Sequence, residues 1–123
     1  MKHEAKAQTK FNHWLKEVYK QTAAFELKYT ETSLPFSNLA PHQRDALIAC
    51  HHQTLVYKIP DAGFQNPFDC VSLSRIPAYV VVRFPKSFEV ISIDVWVKES
   101  EESKRRSLTY ERAKQISTYS IDI

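Results

Sequence analysis

The sequence predicts a mixed α/β sandwich built around one sheet. Two observations carry that reading. Segments of helical and strand period follow one another as helix, strand, helix, several strands, helix. The run Ala78-Tyr79-Val80-Val81-Val82-Arg83-Phe84 is almost continuously apolar, as a central strand covered on both faces requires. With 123 residues the chain is read as one domain, residues 1–123, long enough for a real core and too short for two.

The elements follow in order. From Glu4 to Lys20 the residues Ala7, Phe11, Trp14, Leu15 and Val18 fall on one helical stripe, with Glu4 at its head. Ala23 to Thr30 reads as a strand. Residues two apart share a face, so Phe25, Leu27 and Tyr29 point one way and Glu26 and Lys28 the other. Thr32 to Asn38 is a polar loop punctuated by Pro35. Pro41, a residue favoured in the first helical turn, opens a helix to about His51 whose stripe is Gln43, Ala46, Leu47 and Cys50. Thr54–Ile59 alternates as a strand, Pro60–Gly63 is a turn, and Phe68–Leu73 is a short strand. After the central run, Phe88–Val97 reads as a further strand, on which Trp96 alternates away from Ile91, Ile93, Val95 and Val97. Lys98 to Arg106 is a charged linker, and Leu108–Ser117 is a closing helix capped by Ser107.

Composition excludes several classes. Gly63 is the only glycine, whereas a Walker-type phosphate loop, a dinucleotide fingerprint and a nucleophile elbow each need several at fixed spacing. No nucleotide cofactor held by such motifs is expected. No stretch approaches the ~18 apolar residues of a membrane span, and the polar N-terminus lacks the apolar segment of a signal peptide. Cys50 and Cys70 form no Cys-x-x-Cys pair and are read as reduced residues of a cytosolic chain. A net charge of +3 permits nucleic-acid binding without demanding it.

The chemistry centres on Glu26 and Lys28. A carboxylate and an ammonium side by side on an otherwise buried strand are costly unless they bind something. A divalent metal and a phosphate ester are a fitting pair of ligands, and metal-dependent phosphodiester hydrolysis uses acidic ligands for the ion and a lysine beside the attacked phosphorus. The triplet alone is weak, because a solvated edge strand gives the same pattern. Gln43 adds to it: its stripe turns the amide toward the sheet, where a buried amide needs partners.

The residues Phe25-Glu26-Leu27-Lys28-Tyr29-Thr30, then Ser33-Leu34-Pro35-Phe36-Ser37-Asn38-Leu39 and Pro41-His42-Gln43, resemble the Holliday-junction resolvases of the PD-(D/E)XK nuclease superfamily. In those proteins a Glu-x-Lys strand precedes a Ser/Thr-rich loop with a Pro-Phe or Phe-Pro pair and a helix opening on His-Gln. The resemblance implies a restriction-endonuclease-like mixed central sheet flanked by helices, and a catalytic set of Glu26, Lys28 and Gln43. It also implies Mg²⁺ or Mn²⁺ as cofactor, and cleavage of DNA, most fittingly branched DNA such as Holliday junctions. Two strands cut symmetrically need two sites, hence a homodimer. A cytosolic recombination role in a bacterial or phage-infected cell follows from the same likeness.

One departure stands out. The family places an acidic residue on a strand before the Glu-x-Lys strand, and here only a helix and a turn precede Phe25. The substitute is Asp69 in Asn66-Pro67-Phe68-Asp69, which resembles the family's Pro-x-Asp turn moved downstream, with Asp61 as a second candidate. The expected metal site is then Asp69, Glu26 and the Leu27 carbonyl, with Lys28 steering water and Thr30, Ser33 and Gln43 along the phosphate path. Glu4 is a further candidate near the metal, and Lys104, Arg105 and Arg106 are candidate phosphate contacts. His51-His52 ends a helix with no Cys or carboxylate at zinc-ligand spacing, which argues against zinc. The alternative function is a non-catalytic DNA-binding or assembly module that retains a degenerate nuclease fold.

Overall fold

The structure, a computed structural model, describes residues 2–59 and 67–123, with side chains from residue 6 onward. Helix α1 (Lys2–Trp14) runs into a wider π-turn at Leu15–Tyr19, followed by β1 (Ala24–Tyr29), β2 (Ser33–Pro35) and α2 (Pro41–His52). The hairpin strands β3 (Thr54–Lys58) and β4 (Cys70–Ser74) come next, then β5 (Ala78–Arg83), β6 (Ser87–Ser92) and α3 (Ile93–Glu102). Strand β7 (Ser107–Thr109), α4 (Tyr110–Ile116) and β8 (Tyr119–Asp122) complete the order. The main sheet has four strands in the order β1-β5-β6-β8, with β1 parallel to β5 and the remaining pairs antiparallel. Two small two-stranded sheets, β2-β7 and β3-β4, flank it.

β5 sits inside the sheet and every residue from Ala78 to Val82 is buried, as its unbroken apolar run anticipates. Its alternate residues feed two cores. Val81 and Tyr79 join Phe11 of α1, Tyr19, Phe88 and Val90 on one face. Val80 and Val82 join Leu47 and Cys50 of α2, Ile93 and Trp96 of α3, and Ala113 of α4 on the other. The result is three layers, helix–sheet–helix, with β1 at one edge. A crossover through α2 and the β3–β4 hairpin carries the chain from β1 back to its parallel partner β5. Glu89 is fully buried on β6; its Oε2 accepts from the hydroxyls of Ser87 and Ser120, the latter at 2.8 Å.

The second half departs from the sequence reading. The strand expected over Phe88–Val97 stops at Ser92, and Ile93 begins a helix through Glu102. Ile91, Ile93, Val95 and Val97 fit a strand, but Ile93, Trp96 and Val97 also fit one face of a helix, and only that choice buries Trp96. Trp96 is 1% exposed with its ring 5.3 Å from Phe36, so it belongs to the core. The charged linker therefore shrinks to residues 103–106. The closing helix starts at Tyr110 and its cap is Thr109, whose Oγ1 accepts from the Arg112 N–H at 3.3 Å; Ser107 instead pairs with Pro35. β8 was not anticipated, because its exposed, mixed residues carry no period and it exists by pairing with β6. Among the described residues, no helix is long and apolar enough to cross a membrane.

Tyr79 gives a pH test of the α1 side of the core. Burial pushes its phenol up to about 12. The folded chain keeps that proton where the unfolded chain sheds it near the ordinary value of 10.0, so the contribution is full below that value. It is lost as the pH rises toward about 12. Urea-denaturation midpoints across this alkaline range should fall more steeply for the natural chain than for Tyr79→Phe.

Candidate active site

β1 is bonded to the sheet on one side only. The N–H groups of Ala24 and Thr30 donate to the carbonyls of Pro77 and Arg83 at 2.9 and 3.0 Å. Peptide groups alternate along a strand, so those of Phe25, Leu27 and Tyr29 face the open edge, and the Leu27 carbonyl has no place in the ladder. The side chains alternate as the sequence predicts: Phe25 and Leu27 pack toward α1, and Ala24 toward α2. Glu26 and Lys28 share the face of Ala24, and Lys28 Nζ lies 3.5 Å from Glu26 Oε1. Lys28 is 19% and Glu26 33% exposed, so the pair is partly screened and its net worth is at most about 1 kcal/mol.

Gln43 completes the group. At the third position of α2 its Oε1 accepts from the Ala40 N–H at 3.1 Å, and its Nε2 donates to Glu26 Oε1 at 3.0 Å. The first bond fixes which end of the amide faces the carboxylate. It is half of a capping box, since Ala40 has no side-chain acceptor to return it. Glu26 Oε1 thus has two partners, while Oε2 has none among the described residues.

Beside this group opens a cleft of about 500 Å³ between β1, α2 and the β3–β4 hairpin. Glu26, His42 and Gln43 supply its polar wall; Leu55, Tyr57, Val71 and Leu73 of the hairpin supply much of the apolar one. Asp69 immediately precedes β4, where its carbonyl accepts from the Ile59 N–H at 3.0 Å. Strand alternation places it on the same side as Val71 and Leu73, yet it is exposed and touches neither Glu26 nor Lys28 among the described residues. Ser33 lies in β2, and its carbonyl accepts from the Thr30 hydroxyl at 2.7 Å. Lys104, Arg105 and Arg106 are exposed beside the loop after β1, because the Phe36 N–H donates to the Arg106 carbonyl at 3.0 Å. Asp61 and the side chain of Glu4 lie outside the described residues.

The structure therefore joins Glu26, Lys28, Gln43 and the free Leu27 carbonyl, and leaves Asp69 apart. Arg83, which the sequence reading missed, stands on the other, α1 side of the sheet from Glu26. Arg83 pairs with Tyr29 across the ladder, its guanidinium lies 5.1 Å from the Tyr29 ring centre, and its Nε is buried without a partner among the described residues. With Lys28, Gln8 and Tyr29 it lines a pocket of about 220 Å³. Its signal was present as the only charge in the run Ala78–Phe84. Cys50 is no nucleophile: it is 3% exposed and burial pushes its thiol up, keeping it protonated. The expectation that no carboxylate accompanies His51-His52 is corrected, since Asp94 of α3 reaches both rings.

No protein-family model matches the chain, and no curated protein or solved structure does either.

Gln43→Ala removes both bonds of the amide and leaves Glu26 with Lys28 alone. Urea denaturation should register a loss of about 1–2 kcal/mol. An unchanged midpoint would mean that the bridge between α2 and β1 contributes nothing.

Proposed function

We propose that this chain is a metal-dependent endonuclease hydrolysing DNA phosphodiester bonds, most fittingly at branched DNA such as Holliday junctions. It would work as a homodimer with a restriction-endonuclease-like fold, in the cytoplasm of a bacterial or phage-infected cell. One observation carries the reading. The Glu26 carboxylate is held by Gln43 at 3.0 Å and by Lys28 at 3.5 Å, and these are the three residues that the resemblance marks as catalytic.

The donor set suits a small hard cation. Mg²⁺ keeps several waters and takes one or two carboxylates, and Glu26 Oε2 and the Leu27 carbonyl are both oxygen donors without a protein partner among the described residues. These two groups would hold Mg²⁺ or Mn²⁺, and Asp69 is the candidate for a second carboxylate from the hairpin. When bound, the ion supplies Lewis-acid polarisation of the phosphate and a more acidic water. Lys28 places a positive charge beside the reacting phosphorus and orients the attacking water. Gln43 fixes the carboxylate's rotamer, so its oxygen does not have to be ordered during reaction. The run Lys104–Arg106 would contact phosphates beside the cut, positioning the strand without reading its bases.

A labelled four-way junction and its linear duplex arms, incubated with Mg²⁺ or Mn²⁺ and with chelator, test this directly. Symmetric, metal-dependent nicks are expected at the junction, lowered at least about a hundredfold by Glu26→Gln and by Lys28→Ala. Equal cutting of every duplex would keep the nuclease and remove the junction preference. Binding without any cleavage would replace the enzyme by the DNA-binding module. In binding titrations over a salt series, replacing Lys104, Arg105 and Arg106 together by Ala should flatten the slope of log affinity against log salt by about 3. An unaltered slope would take these residues off the DNA.

A further inference from the structure

We propose that His51, His52 and Asp94 form a second metal site, for a divalent ion of the zinc class, where the end of α2 meets the start of α3. It lies about 12 Å along the α2 axis from Gln43, on the residue spacing of an α-helix, and is independent of the Glu26 centre.

The geometry is that of a prepared three-ligand set. The donor atoms of the three side chains lie within 4.8 Å of one another. His52 Nε2 is 2.8 Å from Asp94 Oδ1 and His51 Nε2 is 3.4 Å from Asp94 Oδ2, so each carboxylate oxygen faces its own imidazole. The rings stand edge to face at 80° with centres 4.7 Å apart, so they do not stack.

The other nitrogen of His51 decides its tautomer. Nδ1 lies 3.1 Å from the Ile76 carbonyl, a group that can only accept, so Nδ1 carries the hydrogen. In the neutral ring Nε2 then presents a lone pair toward a carboxylate oxygen, an arrangement that a metal ion between them, or a second proton on the ring, relieves. Metal-binding histidines are oriented in this way, with the second ring N–H donated to a backbone carbonyl. The orienting carbonyl is itself held in place. The Ile76 N–H donates to the Cys50 carbonyl at 3.0 Å, and the Arg75 N–H to the Gln53 carbonyl at 2.9 Å, with Arg75 in the left-handed region at φ 51°. The β4–β5 turn is thus latched to the end of the helix that carries both histidines.

Two imidazoles and one carboxylate are borderline donors that suit Zn²⁺ and its first-row neighbours, whereas Mg²⁺ and Ca²⁺ take oxygen. The half-exposed outer side leaves room for water at a fourth position. A bound ion would tie α2, α3 and the β4–β5 turn together without touching the cleft.

Calorimetric titration of the full chain with Zn²⁺ near neutral pH, with Mg²⁺ as control, tests the site. Visible absorption of Co²⁺ added in place of Zn²⁺ reports its ligands. One equivalent of Zn²⁺ should bind and raise the thermal midpoint. Both effects should be lost in His52→Ala and in the isosteric Asp94→Asn, with folding verified by circular dichroism, and retained in Glu26→Gln. Absence of stoichiometric binding by the natural chain would overturn the proposal, as would binding that survives in both His52→Ala and Asp94→Asn. Neither result bears on cleavage at Glu26, so this site and the proposed nuclease can fail separately.

Discussion

The burial of β5 on both faces is the constraint from which the rest of the architecture follows. A strand with Val80 and Val82 on one side and Tyr79 and Val81 on the other cannot face water, so helices must cover both sides of the sheet. α1 covers one side; α2, α3 and α4 cover the other. β1, paired beside it, inherits the same two environments. Its Phe25 and Leu27 satisfy the α1 side, but Glu26 and Lys28 stand on the side where its own Ala24 packs among apolar neighbours. A charged pair in that layer is tolerable only with partners, and Gln43 and the pair's own contact provide them.

Two of the sheet's carboxylates show how differently such groups are used. Glu89 has no exposure, and its Oε2 takes hydrogen bonds from Ser87 and Ser120 inside the protein. Lys114 Nζ stands 4.0 Å from the same oxygen, and Oε1 is buried without a hydrogen-bond partner among the described residues. Glu26 is one-third exposed on the outer strand, with one oxygen engaged and the other facing a cleft region without a protein partner among the described residues. Composition cannot separate these cases. Burial does.

Much of the first half was legible in the sequence, because its signals are local. α1, β1, α2 and β3 follow from period, from the proline at the head of α2 and from alternation, and the facing of Glu26, Lys28 and Gln43 follows with them. The second half was less legible, because Ile93 and Val97 satisfy a period of two and a period of 3.6 equally, and burial of Trp96 decides between them. β2, β7 and β8 are three or four residues long and exist through pairing with distant segments. The His52–Asp94 contact joins residues 42 apart, and no spacing rule reaches that far. Arg83 was hidden in an apolar run, where it is the last residue of β5.

The outer position of β1 also governs how the chain assembles and how it comes apart. Its ladder joins Ala24 to Ala78, so a long loop must close before that pairing contributes anything. β5 keeps a second neighbour in β6, and α2 keeps its own contacts with α3, whether or not β1 is in place. Detachment of β1 is therefore a sub-global opening that need not melt the centre of the sheet. In that opened form Gln43 stays on its helix while the carboxylate it holds departs. The grouping of Glu26 with Gln43 thus reports on the docking of an edge strand rather than on the core as a whole.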